Sequence, residues 1–343
     1  MKNIISYENL IARLFVLTVY ITAISCTDDS EDTDVNNGNW VRTTPFRGTP
    51  RAGAVGVTIG SKAYVGLGYD GDEYVYDFFE FDIDQGYWIT KSPFPGTLRE
   101  RAVAFSIGKK AYVGLGYNRD LDVEELSDFW EYNTETDQWI RLEDFKGTAR
   151  YNAVSFAIGN KGYVGTGYDG KNYNNDFWEF DPETNKWKEI VSYPGNKREE
   201  GLAFVLDAKA YVCTGRNNGS FDTGFWEYDP STGKWTSRTP DSDEDYYDEF
   251  TVAVSRYDAT AFTLNGKAYI VAGFTGAVSN ATYEYDPSTQ EWAAKTSFEG
   301  SARSAAVSFV LNNRAFAGMG QSGSRRFDDM WEFFPDDEYE VND

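Results

Sequence analysis

From Trp40 onward, short runs of alternating apolar and polar residues recur along the chain. AVGVTIG, AVAFSIG and AVSFAIG have the period of two expected of strands with one face in a core. Each is followed by a more continuous apolar stretch closing on glycine: AYVGLG at 63–68 and 111–116, GYVGTG at 162–167, AYVCTG at 210–215, AYIVAG at 268–273 and AFAGMG at 315–320. A third run, FFEF, FWEY, FWEF, FWEY, TYEY or MWEF, comes after a variable loop, and turn sequences such as DPETNK then lead to a fourth run marked by Trp88, Trp139, Trp187, Trp235 or Trp292. Stretches with helical periodicity are missing. The pattern predicts an all-β chain of four-stranded units, with strands a to d in order.

The units repeat in register. An Arg opens each one at 51, 99, 150, 198, 256 and 303, and a basic residue follows eleven positions later at Lys62, Lys110, Lys161, Lys209, Lys267 and Arg314. Six a–b–c triplets are followed by only five d strands. The sixth is expected at the front, because Trp40 precedes Arg51 by the spacing that separates Trp139 from Arg150. The terminal EYEVND competes for that role with a turn one residue shorter. A six-bladed β-propeller is therefore predicted over 40–335, closed by an N-terminal strand in the last blade, since closure removes exposed sheet edges. The closing glycines at 68, 116, 167, 215, 273 and 320 are expected at a positive φ or a close approach.

These features resemble Kelch repeats: the apolar run ending in Gly, the aromatic of strand c and the Trp of strand d. The chain departs from the usual double glycine, with Gly-x-Gly in four copies and Cys213-Thr-Gly and Val271-Ala-Gly in the others. The fingerprint GxGxxG at Gly66–Gly71 and Gly165–Gly170 is a by-product of the repeat, since a strand rather than a helix is expected to follow.

Outside the repeats, residues 1–25 carry Lys2 and Arg13 ahead of an apolar run from Leu14 to Ile24, too short to span a membrane. Ala23-Ile24-Ser25-Cys26 resembles a bacterial lipoprotein cleavage box, which implies lipidation at Cys26. Residues 26–39, TDDSEDTDVNNGN after the Cys, have the composition of a flexible acidic tether and are similar to the export signal of Bacteroidetes-type surface lipoproteins. An acidic tail is expected at 336–343. The resulting expectation is an outer-membrane lipoprotein, facing the cell surface or the periplasm, with a lipid anchor and no transmembrane span in the mature chain.

The formal charge of −23 disfavours nucleic acid as a partner. The chain contains no histidine, which removes Ser-His-Asp chemistry and the histidine copper ligands that Kelch-type galactose oxidases use. Neither a cofactor nor a metal is expected. The acidic stretches at Asp70, Asp72 and Glu73 and at 241–249 fit solvated loops. The six Arg and the six strand-c Glu residues (80, 131, 179, 227, 284, 332) are expected to hold the blades, through hydrogen bonds or ion pairs that can join the two sets, because sixfold repetition is the mark of scaffold.

Function is then sought where the copies differ. The b–c and d–a loops share one face, and directly after the closing Gly stand Tyr69, Tyr117, Tyr168, Arg216, Phe274 and Gln321. Aromatic rings there suit a glycan or a protein ligand, with Arg216 able to grip a carboxylate and Tyr74, Tyr76, Tyr173 and Tyr246 able to widen the platform. This gives a non-catalytic binding protein as the first expectation. The alternative implied by the resemblance is a sugar mutarotase similar to N-acetylneuraminate epimerase, with Glu199, Glu200 and Arg216 as acid–base and gripping groups.

Overall fold

A computed structural model of the chain describes residues 37–340; the expected signal segment, Cys26 and all but the end of the acidic tether lie outside them. Six four-stranded antiparallel sheets form the blades. The inner strands a are Val55–Ile59, Val103–Ile107, Val154–Ile158, Leu202–Leu206, Thr260–Leu264 and Val307–Leu311, each packed against strand a of the blades on either side. Alternate burial along them matches their alternating sequence, whereas the strands b beside them are buried on both faces.

Closure follows the spacing of Trp40. Strand Asn39–Thr43 pairs antiparallel with Met330–Phe334, placing Trp40 opposite Phe333 and completing the sixth blade. Trp40 is 0% exposed, contacts Phe262, Phe298 and Phe333, and donates its indole N–H to the Thr296 carbonyl.

Six apolar clusters fill the six blade junctions. Between blades 2 and 3, Phe105 stacks on Tyr112 while Phe129 and Phe180 meet Trp187 edge-on or tilted. The d-strand tryptophans are packing residues. Cys213 belongs to the junction of blades 4 and 5, where burial pushes its thiol up to about 12 and leaves it unreactive.

The six opening arginines are 0–1% exposed and act as spokes. Each sends Nη1 to the carbonyl sixteen residues on, that of Leu67, Leu115, Thr166, Thr214, Ala272 or Met319. Those six residues have φ between +56° and +64°, and the glycine after each lies between +88° and +104°. This pair of left-handed residues turns the carbonyl toward the guanidinium. A Cβ on Gly68 would meet the Ala52 carbonyl oxygen at 2.6 Å, so glycine is required there.

The anionic partners differ from those expected. Arg51, Arg99, Arg150 and Arg303 form bidentate pairs with Asp77, Asp128, Asp176 and Asp329, which stand just before strand c, rather than with the strand-c glutamates. Arg198 uses Asp222 at 2.6 Å. Arg256 has no carboxylate, because Ala281 occupies the aspartate's position; it donates instead to the carbonyls of Ala281 and of Val252. Val252 lies in a helix, α1 (Tyr247–Val254), that buries Phe250, Ala253 and Val254, so part of the stretch expected as a solvated loop is a packed element. Glu131, Glu227, Glu284 and Glu332 pair instead with the basic residue that opens strand b.

Candidate functional site

Two residues after each spoke arginine, the chain bends into the mouth of the central channel. Gly53, Arg101, Asn152, Glu200, Asp258 and Ala305 all have φ between +52° and +62°. Each donates its N–H to the carbonyl of its counterpart one blade back, Arg101 to Gly53, Asn152 to Arg101, Glu200 to Asn152, Asp258 to Glu200, Ala305 to Asp258 and Gly53 to Ala305, at 2.9–3.3 Å. The hydrogen bonds close into a ring. Arg101, Glu200 and Ala305 each represent stored strain of about 1–2 kcal/mol, which the collar over-determines, while Asn152 and Asp258 are types that tolerate this region.

The collar backbone is sixfold and its side chains are not. Arg101 reaches from blade 2 toward blades 4 and 5, with Nη1 at 2.8 Å from Glu200 Oε1, 3.0 Å from Asn152 Oδ1 and 3.2 Å from Asp258 Oδ1. From the other side Arg216 approaches Glu200 Oε2 at 2.6 Å and Glu199 Oε1 at 3.1 Å. Its Nε and the Glu200 Oε2 touch without hydrogen-bond geometry, so neither has a directional partner. Asn152 Nδ2 donates to Glu199 Oε2 at 2.8 Å. Glu199 and Glu200 are 4% and 7% exposed, built into the mouth rather than standing as turn charges.

Burial, and then the Asp258 charge, push the Glu200 carboxyl up to about 7 despite Arg101 and Arg216. Burial also raises Glu100. Around Arg101, the carboxylates of Asp258, Glu200 and Glu100 outweigh desolvation and hold the guanidinium charged. The mouth encloses a cavity of about 170 Å³, floored by Ala54, Ala102, Ala153, Gly201, Ala259 and Ala306; a second space of about 250 Å³ lies among the inner strands. Among the described residues no three His, Cys, Asp or Glu side chains stand where they could share a metal ion.

The expected rim residues surround this mouth. Tyr69, Tyr117, Tyr168, Arg216, Phe274 and Gln321 each pair, through isolated bridges, with the residue after a spoke: Ala52, Glu100, Tyr151, Glu199, Tyr257 and Ser304. Tyr117, Tyr151 and Tyr168 form a run of rings at 4.8 and 5.9 Å, and Phe274, Tyr257 and Phe221 form a stack at 5.0 and 5.8 Å beneath Arg216. Tyr69 is not an open platform, since Arg119 lies over its ring at 4.7 Å. Tyr74 is buried with its hydroxyl accepting the Arg119 N–H, and Tyr173 leans on Tyr168. Tyr76 is exposed, and Tyr246 packs into the junction of blades 4 and 5, where its hydroxyl accepts the Trp292 N–H.

Glu199, Glu200 and Arg216 are thus brought together, while Arg101, Asn152 and Asp258 were missed. The signal for them lay in the same column of the repeat: two places after the spoke the six copies carry Gly, Arg, Asn, Glu, Asp and Ala.

Residues 149–192 and 255–298 match the Kelch motif. None of the curated proteins compared with the chain matches it. Among solved structures 894 chains match. One, titled "Structure of YjhT", has a TM-score of 0.70 at 19% identity over 84% of this chain and 95% of that one, a likeness that concerns the fold.

Proposed function

Starting from a chain that is a six-bladed β-propeller of Kelch-type repeats, we propose that it binds the end of a saccharide in the mouth of its channel, as a lipid-anchored protein of the cell envelope. The observation that carries this is the broken symmetry of the collar, where a regular backbone holds an irregular set of donors and acceptors. A cavity of about 170 Å³ is smaller than the ~300–1,000 Å³ of clefts for drug-sized ligands. It suits one sugar ring better than a folded partner. Arg101 and Arg216 are already paired with Glu200, Asp258 and Glu199, so the site offers mixed donors and acceptors instead of net positive charge. Hydroxyl groups match that mixture, and the Tyr117–Tyr151–Tyr168 run supplies rings for the next sugar.

A glycan array followed by calorimetry on the purified protein tests the reading. Arg101→Ala and the joint replacement of Tyr117 and Tyr168 should each weaken the best array hit at least tenfold, or about 1.4 kcal/mol. Unchanged affinity in both refutes it. The mutarotase alternative is favoured by one observation, a buried Glu200 whose carboxyl, at about 7, can exchange a proton near neutrality. Proton NMR of freshly dissolved α-anomeric sialic acid decides it: equal equilibration rates with and without protein eliminate it.

A further inference from the structure

Five of the six spokes balance a buried positive charge with a carboxylate, and the spoke of blade 5 does not. Arg51, Arg99, Arg150, Arg198 and Arg303 each meet an aspartate through contacts of 2.9 Å or less. Arg256 is 1% exposed and, among the described residues, forms no ion pair. Its guanidinium has carbonyl acceptors only, Ala272 at 3.0 Å, Val252 at 3.4 Å and Ala281 at 3.5 Å. Its Nε–H is buried without an acceptor. In the other five spokes Nε donates to the carbonyl two residues earlier, that of Thr49, Thr97, Thr148, Asn196 or Ser301. In blade 5 that residue is Val254 of α1, whose carbonyl accepts the backbone N–H of Arg256 at 2.7 Å.

The backbone nevertheless keeps the aspartate's place. The carbonyl of the residue just before strand c accepts an N–H from the residue before the closing glycine: Asp77 from Leu67, Asp128 from Leu115, Asp176 from Thr166, Asp329 from Met319 and Ala281 from Ala272, at 3.0–3.3 Å. Ala281 therefore stands in the same register, and only the carboxylate is lacking. Ions can reach that place, since the four aspartate side chains are 15–33% exposed and Ala281 is half-buried. No acid takes over the role. The side chains that act on the Arg256 charge are Tyr283, whose ring lies against the guanidinium at 4.7 Å, and Cys213, neither of them a carboxylate. Burial accordingly lowers the proton affinity of Arg256, whereas at Arg101 and Arg216 burial is outweighed by the surrounding acids. Asp248 and Glu249 lie in the first turn of α1, at the end away from Arg256. The other end of α1 contributes roughly half a negative charge at most, through the long Val252 contact. A guanidinium taken out of water with so little compensation is a strong destabilising element.

We propose that blade 5 binds a small monovalent anion, of the size of chloride, against Arg256 at the place where the other spokes keep a carboxylate. Alanine differs from aspartate by that one group, so the place suits a single small ion and excludes a sugar acid. The ion completes the spoke that leads, two residues on, to collar residue Asp258. An anion from the medium then replaces one supplied by a side chain, and the stability of the blade depends on the salt around it. The proposal is independent of the saccharide reading of the mouth.

The test is urea unfolding at fixed ionic strength, with sodium chloride titrated against sodium gluconate, whose anion is too large for this place. In the wild type chloride should act saturably, lowering the unfolding equilibrium constant about tenfold at ten times its dissociation constant. Ala281→Asp supplies the counter-charge covalently. Its stability should show no saturable dependence on chloride and should exceed that of the wild type in gluconate. Crystals of the wild type grown in bromide should give an anomalous peak within hydrogen-bonding distance of the Arg256 guanidinium, and crystals of the variant should not. A wild type indifferent to chloride, a saturable dependence retained in Ala281→Asp, or no bromide at Arg256 overturns the proposal. If the variant does not fold, the chloride titration and the bromide map of the wild type decide it.

Discussion

Replacing Glu200 by Gln should stabilise the protein in mild alkali and do nothing in acid. The carboxyl is buried between Arg101 and Arg216 with Asp258 nearby, and its affinity for a proton rises from the ordinary 4.5 to about 7. The folded state therefore holds this proton more tightly than the unfolded chain does. Between those two values stability falls as pH rises; the penalty is complete above about 7 and absent below 4.5. At roughly 1.4 kcal/mol per pH unit, the gap makes an ionised Glu200 cost about 3 kcal/mol in the fold. Glutamine, shaped like the protonated acid, is free of that penalty. Denaturant unfolding of both proteins between pH 4.5 and 8.5 should give coincident stabilities at the acid end, diverging to an advantage for Glu200→Gln of about 2–3 kcal/mol at pH 8. Taking the difference between the two curves removes the titration of the other acids. Parallel curves, or a variant less stable than wild type at pH 8, would refute the account of a carboxyl kept costly for a purpose.

Three further outcomes follow from the scaffold. Asp128→Ala strips the bidentate partner, at 2.7 Å on both arms, from an Arg99 that is 0% exposed; unfolding free energy should fall by about 3–5 kcal/mol, since it leaves a buried charge uncompensated. Trp40→Ala should cost about 3–5 kcal/mol and also loosen the closing strand, with blade 6 amides exchanging ahead of the other blades in hydrogen exchange. Ala305→Gly relieves a φ of +52° at no cost to the collar hydrogen bond, so it should raise stability by about 0.5–1 kcal/mol once glycine's extra unfolded entropy is deducted.

The scaffold was legible wherever one residue type solves the same problem six times. The spacing of Trp40 to Arg51 announced the closing strand, and the closing glycines announced a left-handed backbone, because in both cases a local steric need leaves a local signature. The spoke partners were harder. Aspartates 26 residues after Arg51, Arg150 and Arg303 but 29 after Arg99 sit beyond loops of unequal length, and blades 4 and 5 replace them with Asp222 and with backbone carbonyls. The strand-c glutamates, regular in position, drew the pairing that the irregular aspartates make. At the collar, Gly53, Asn152 and Asp258 are residue types at home at positive φ. Arg101, Glu200 and Ala305 are forced there by hydrogen bonds from neighbouring blades, a tertiary cause without a sequence signature.

That forcing explains why the site can exist at all. The spoke two residues upstream is fixed by its carbonyl sixteen places on, the residue between them is bridged to the rim, and the collar N–H and carbonyl groups are used up by one another. Backbone position at the mouth is thus set without help from the collar side chains. They are free to differ, and all six are different residues while φ varies by only ten degrees. A buried acid held at a raised proton affinity between two arginines persists under these conditions because the ring, not the acid, supports the fold. Apart from the proton-linked penalty at Glu200, exchanging collar side chains, as in Asp258→Asn, should therefore alter ligand preference far more than stability, whereas altering a spoke should do the opposite. If Asp258→Asn and Arg99→Lys shifted unfolding and ligand affinity in equal proportion, the separation of scaffold from site argued from this geometry would be wrong.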